Sequence, residues 1–280
     1  MERYVKRNIE YIPRKLIRNY DNTGTIIMFH GSGVSHEMWD DDVPRTIFRD
    51  NILPQWPEGK KLIDLMPKNK LNLQKLLSKY YTTFSYTPLE YLIENNSGLN
   101  NIDELKPNNY YFNMDQMIYT LKYFIKMYSL EPPYIFVGFS EGGWRCLLFQ
   151  EHIKNVKKCV LIDPQQFVLN SPENILSKNN YDKLIKNKKK KHSFDNLLSF
   201  YKYKNLTRKY RLNKINCKLT IFMNIMKYEN NFTQRMISTT DFVNEIKKKN
   251  PKTVFNFYFD ELHMLHWLYR DEIIEEIIRF

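Results

Sequence analysis

Short apolar runs separated by polar, turn-forming stretches dominate the chain. Thr25-Ile26-Ile27-Met28-Phe29, Tyr134-Ile135-Phe136-Val137, Lys158-Cys159-Val160-Leu161-Ile162, Leu219-Thr220-Ile221-Phe222-Met223 and Thr253 to Phe259 (TVFNFYF) are continuous or nearly so. Runs of that length, rich in β-branched and aromatic residues, predict strands, and unbroken ones predict strands covered on both faces. Leu62-Ile63-Asp64-Leu65 reads as a further strand, and residues 3–20 alternate enough to predict an opening antiparallel hairpin with Pro13 at its turn. Helical periodicity lies between these runs. Asp115 to Tyr128 carries apolar residues at 117, 118, 121, 124 and 125 and ends before Pro132-Pro133. Trp144 to Ile153 predicts a buried helix, and Asp271 to Ile278 a terminal one. Residues 81–111 are Asn-rich and predict a surface loop with a short helix.

Strand and helix signals alternate, so 280 residues read as one large α/β domain: a mostly parallel sheet flanked by helices, interrupted once. The interruption is residues 165–214. Between 171 and 214 stand 13 Lys or Arg and 3 Asp or Glu, a net +10 out of the chain's +12. Its centre is Lys186-Asn187-Lys188-Lys189-Lys190-Lys191, followed by the apolar cluster Phe194, Leu197, Leu198, Phe200 and Tyr201.

The chemistry concentrates after the strand at 134–137, in Gly138-Phe139-Ser140-Glu141-Gly142-Gly143. A G-x-S-x-G between strand and helix thrusts the serine above the sheet on a strained turn, with small residues two before and two after it so that backbone can crowd in. The strand at 25–29 ends in His30-Gly31-Ser32-Gly33-Val34-Ser35. Together these segments resemble the nucleophile elbow and the His-Gly loop of the α/β-hydrolase fold superfamily, of the serine esterase and lipase type.

The resemblance implies an eight-stranded-type, mostly parallel sheet with a cap insertion. The core is then 1–164 and 215–280, and the basic segment 165–214 is the lid. It implies Ser140 as nucleophile and the amides of Ser32 and Glu141 as the oxyanion hole. The histidine follows the family's eighth strand, where His263 stands, with His266 as its competitor three residues on. The acid stays open between Asp163, which ends the strand at 158–162 before Pro164, and Glu229. The family's usual Asp position holds Lys227, and Asn224 replaces the strand-ending Gly. Asp64 matches a family turn, but Pro67-Lys68-Asn69 replaces its Gly.

Such a site hydrolyses a carboxylic ester or thioester through an acyl-enzyme and needs no metal or organic cofactor. A small acyl ester is the implied substrate, an anionic lipid surface is a second candidate partner through the basic lid, and no nucleic acid is expected, since no DNA- or RNA-binding motif accompanies the charge. The alternative is a catalytically inactive member of the fold acting as a binding or scaffold protein, supported by Lys227. Cys146, Cys159 and Cys217 fall in or beside core elements without metal-like spacing and read as buried thiols of a reducing compartment. With no stretch near ~20 apolar residues, a soluble cytoplasmic protein is the expectation.

Overall fold

The structure, a computed structural model, describes residues 10, 12–21, 24–31, 35–39, 72–88, 114–164, 214–225, 232–259 and 265–279. Among these, seven strands form one sheet in the order β1-β3-β2-β4-β5-β6-β7. They are β1 (Arg14–Ile17), β2 (Thr25–Phe29), β3 (Thr82–Tyr86), β4 (Tyr134–Phe139), β5 (Val156–Ile162), β6 (Lys218–Asn224) and β7 (Val254–Tyr258). β1 runs antiparallel to β3, and the other neighbouring pairs are parallel. The described helices are α1 (Leu73–Leu77), α2 (Met114–Met127), α3 (Glu141–Phe149), α4 (Phe232–Lys249), α5 (Leu265–Leu268) and α6 (Arg270–Ile278), with a 3₁₀ turn at His36–Trp39.

Two-residue alternation distributes the strand side chains between two cores. Ile27, Phe29, Phe136, Cys159, Leu161, Leu219 and Ile221 pack with Leu121 and Phe124 of α2, Leu147 and Phe149 of α3 and Phe242 and Ile246 of α4. Ile26, Met28, Ile135, Val137, Val160, Ile162 and Phe222 pack with Leu73 and Leu77 of α1, Leu265 and Trp267 of α5 and Ile273 and Ile277 of α6. Helices therefore cover both faces, which is why β4 is buried at every position and its sequence shows no polar alternation. The three cysteines are buried thiols, with the Sγ atoms of Cys217 and Cys159 3.4 Å apart. Burial raises the thiols of Cys146 and Cys159 well above their ordinary range.

One expectation is corrected. Residues 82–86, read as part of a surface loop, form β3, a fully buried strand between β1 and β2. Its sequence, TTFSY, hides behind hydroxyls that find partners inside: Ser85 Oγ donates to Gln74 Oε1 at 2.9 Å, and Thr82 Oγ1 to the carbonyl of Asn19 at 3.3 Å. α3 also begins earlier than the apolar pattern indicates, directly after Ser140. Pro13 precedes β1, whose described partner is β3. The other arm of the expected hairpin, the strand expected at 62–65 and residues 165–213 of the lid segment lie outside the described residues.

The chain re-entering the core after that segment is held at the end of α3. Gln150 Nε2 donates to the carbonyl of Lys214 at 2.7 Å, and the amide of Asn216 donates to Gln150 Oε1 at 3.1 Å. The C-terminal helix is latched from below. Lys158, on β5 and almost wholly buried, pairs with Glu276 Oε1 at 2.7 Å and donates to the carbonyl of Arg279 at 2.9 Å, while Thr220 Oγ1 donates to Glu276 Oε1 at 2.8 Å.

Candidate active site

From β2 the chain goes outward to β3, and from β4 it goes the opposite way to β5, although β2 and β4 are neighbours. Such a reversal opens a crevice beyond the carboxyl ends of the two strands, where open α/β sheets bind ligands. His30-Gly31 follows β2 there, and Ser140 follows β4.

Ser140 has φ 51° and ψ −117°, a conformation that a residue with a Cβ adopts at a cost of about 1–3 kcal/mol. The surrounding backbone holds it. Its amide donates to the carbonyl of Ile162 at 3.0 Å, and its carbonyl accepts from the amide of Gly143 at 3.0 Å. The turn is possible because two neighbours lack side chains. A Cβ on Gly138 would lie 2.3 Å from the carbonyl oxygen of Gly142, and one on Gly142 only 2.0 Å from that of Phe29. The tip of β2 touches the same turn: a Cβ on Gly31 would stand 3.0 Å from the Cβ of Ser140.

Seven strands in this order, one antiparallel edge partner, and a strained serine between β4 and α3 form a single recognisable set. The esterase from Exiguobacterium antarcticum superposes on it with a TM-score of 0.50 at 13% identity, covering 95% of this chain and 94% of that one. The chain has the α/β-hydrolase fold. A lipase-esterase related protein from Clostridium acetobutylicum gives a TM-score of 0.48 at 14% identity over 95% of this chain and 98% of that one. A dienelactone hydrolase from Anabaena variabilis gives 0.47 at 11% over 96% and 93%. No protein-family model and no curated protein matches the sequence. At such identities the likeness carries the α/β-hydrolase fold and not the chemistry.

Within that fold, Asp163 is buried at the end of β5 with φ 41°. Its amide donates to the carbonyl of Phe222 at 2.7 Å, and its Oδ1 accepts the amide of Asn224 at 3.1 Å. The replacement of a family Gly by Asn224 is thus compatible with a backbone contact to this carboxylate. His266 is wholly buried in α5. Its ring centroid lies 4.7 Å from that of Phe139 and 5.6 Å from that of Trp39, so it packs beneath the elbow. Ser32, His263 and Glu229 lie outside the described residues. On either side of residues 260–264 the chain is tied together: the rings of Tyr258 and Tyr269 are 4.1 Å apart, and Tyr258 Oη donates to Glu272 Oε1 at 2.5 Å.

The elbow also holds charge that the motif does not announce. Glu141 and Arg145, both buried, pair at 3.2 Å. Their four-residue spacing is the signal a sequence reading can use. Beside them His30 donates from Nδ1 to the carbonyl of Gly31 at 2.6 Å. Since a carbonyl only accepts, the proton sits on Nδ1. Burial, followed by the charge of Arg145, lowers the His30 pKa to about 3 despite the raising effects of the Gly31 bond and Glu141. The imidazole is therefore neutral at ordinary pH. Among the described residues, no group of three or more His, Cys, Asp or Glu could hold a metal ion, and no helix is long and apolar enough to cross a membrane.

Proposed function

We propose that this chain is a serine hydrolase that cleaves a carboxylic ester or thioester through an acyl-enzyme on Ser140. The observation that carries the reading is the strained backbone of Ser140, held over the crevice between β2 and β4. His263 takes the hydroxyl proton as Ser140 Oγ attacks the carbonyl carbon. The amides of Ser32 and Glu141 receive the oxyanion, a pair in which each donor contributes about 3 kcal/mol. His263 then gives its proton to the departing alcohol or thiol. A water deprotonated by the same imidazole releases the acid and restores Ser140. Asp163 is the acid that orients His263, supported over Glu229 by its burial at the end of the strand whose Ile162 carbonyl receives the Ser140 amide.

The basic segment 165–214 roofs the pocket and turns its charge towards an anionic substrate or lipid surface. Three buried thiols fit a reducing, cytoplasmic setting. A second reading, a binding or scaffold module without turnover, draws on Lys227 at the family's acid position. Turnover of p-nitrophenyl esters across acyl lengths decides between them. The wild type is expected to hydrolyse at least one ester, and Ser140→Ala to fall to the buffer rate. A folded wild type inert on the whole panel favours the scaffold.

A further inference from the structure

β7 ends the sheet, and among the described residues no strand lies beyond it. Large apolar side chains stand open along it: Val254, Phe257 and Phe259 keep 46%, 43% and 70% of their surface exposed. The two ends of the sheet differ in kind. β1 reads RKLI and follows Pro13, and charge and proline of that sort deter a further strand. Thr253 to Phe259 carries no charge, Pro or Gly. Uncharged, β-prone runs of about seven residues pair readily with copies of themselves.

Charge flanks this run unequally. At its start stand Lys247, Lys248 and Lys249, the last residues of α4, and the exposed Lys252, with Lys247 Nζ 5.8 Å from the centroid of the Phe255 ring. At its end stand Asp271 and Glu272 in the first turn of α6, and Glu272 Oε1 accepts from Tyr258 Oη. Parallel pairing of two copies would set base on base. Antiparallel pairing sets the basic end of each copy against the acidic end of the other. Centred on Asn256, it pairs Phe255 with Phe257 and Val254 with Tyr258, and matches the whole run from Thr253 to Phe259 with itself. Asn256 then faces its own copy, and a carboxamide both donates and accepts. Phe255 and Phe257 are stacked with ring centroids 5.9 Å apart, so four aromatic rings meet on one face.

We propose that β7 is a homodimer interface: two copies join antiparallel through it, centred on Asn256, into one continuous sheet. A two-fold contact of this kind is closed, so assembly stops at two. The interface is independent of the function proposed for Ser140.

Sedimentation velocity at tens of micromolar protein and physiological salt tests this, since repulsion between two chains of net +12 is then largely screened. The wild type is expected to sediment as a dimer. Phe257→Lys puts a charge on the edge, facing the partner's Phe255 and Lys247, and is expected to raise the dimer dissociation constant by roughly a hundredfold or more. Should that variant not fold by circular dichroism, two exposed positions carry the test. Lys252→Glu and Glu272→Lys are each expected to weaken the dimer by roughly tenfold, and their combination to return it to within about threefold of wild type. Asn256→Cys is expected to cross-link to its own copy through a short bismaleimide far faster than Val254→Cys, which faces Tyr258. A monomeric wild type overturns the interface, and so does assembly beyond two copies. A dimer that keeps its affinity in Phe257→Lys, or in both single charge variants, joins elsewhere and overturns it too. So do a charge swap that fails to recover the dimer and an Asn256→Cys that stays uncoupled.

Discussion

The amide of Ser140 donates to the carbonyl of Ile162 at 3.0 Å, so the serine of the elbow is tied by its backbone to the peptide that leads into Asp163. β4 and β5 end level with each other, Phe139 paired with Ile162, and each hands a functional candidate to the same crevice. Asp163→Asn would keep this shape while removing the charge proposed to orient His263. Turnover of a p-nitrophenyl ester is expected to fall by roughly a thousandfold or more, while Glu229→Gln stays within about threefold of wild type. The reverse ranking moves the acid to Glu229. Full rates in both variants remove both from the triad.

Gly142 is the tightest point of the elbow. A Cβ there would stand 2.0 Å from the carbonyl oxygen of Phe29, backbone that cannot turn aside. Gly142→Ala must push α3 off β2, an overpacking cost of about 1–3 kcal/mol or more. The urea midpoint is expected to fall and ester turnover to be lost, whereas Lys157→Ala, exposed on β5, is expected to change stability by less than about 0.5 kcal/mol.

The Lys158–Glu276 pair should respond asymmetrically. Lys158 is almost wholly buried, while the Glu276 side chain keeps 22% of its surface in water. Glu276→Gln leaves an ammonium without its counter-charge in the core and is expected to cost about 3 kcal/mol or more. Lys158→Met leaves a carboxylate that water can still reach and is expected to cost less than half as much by urea denaturation.

The same pair sets an acid limit. Burial raises the Glu276 pKa, but the hydrogen bonds from Lys158 and Thr220 outweigh it, and the net shift is downward from 4.5. A carboxyl depressed by folding contributes its stabilisation fully above its unfolded value and loses it as pH falls through the lower folded one. Stability is therefore expected to drop as pH falls below about 4.5, and Glu276→Gln to flatten that limb. Burial lowers the Lys158 pKa despite Glu276, so its charge costs stability at neutral pH and this cost eases only towards alkaline pH.

Replacing Lys188 to Lys191 with Ser is expected to abolish adhesion to vesicles containing phosphatidylserine. Each well-placed Lys contributes about 1 kcal/mol, screened by salt. Flotation at low and physiological salt measures it. Binding unchanged by the four substitutions removes the lipid surface from the partners of the basic segment.

The parts legible in the sequence are those whose chemistry is local. β2, β4, β5 and β6 stand out because helices on both faces require apolar residues at nearly every position, and β7, partly exposed at the sheet edge, stands out by its β-branched and aromatic residues. Ser140 stands out because Gly138 and Gly142 are dictated by backbone approach. β3 was hidden because Thr82 and Ser85 satisfy their hydroxyls with partners that sequence does not reveal. α4 was hidden because its described buried positions, Thr239, Phe242 and Ile246, make a thin stripe in a polar helix. Lys158 reads as an incidental charge until Glu276 and the carbonyl of Arg279 are seen around it. The acid was ambiguous because local pattern does not reveal burial, which the structure gives for Asp163.

Covalent labelling at residue 140 is the most direct measurement. Wild-type protein treated with a fluorophosphonate and digested is expected to carry one adduct, mapped by mass spectrometry to the peptide containing Ser140, and Ser140→Ala to carry none. A folded wild type that stays unlabelled, or one labelled equally in the Ala variant, contradicts a nucleophile at this elbow.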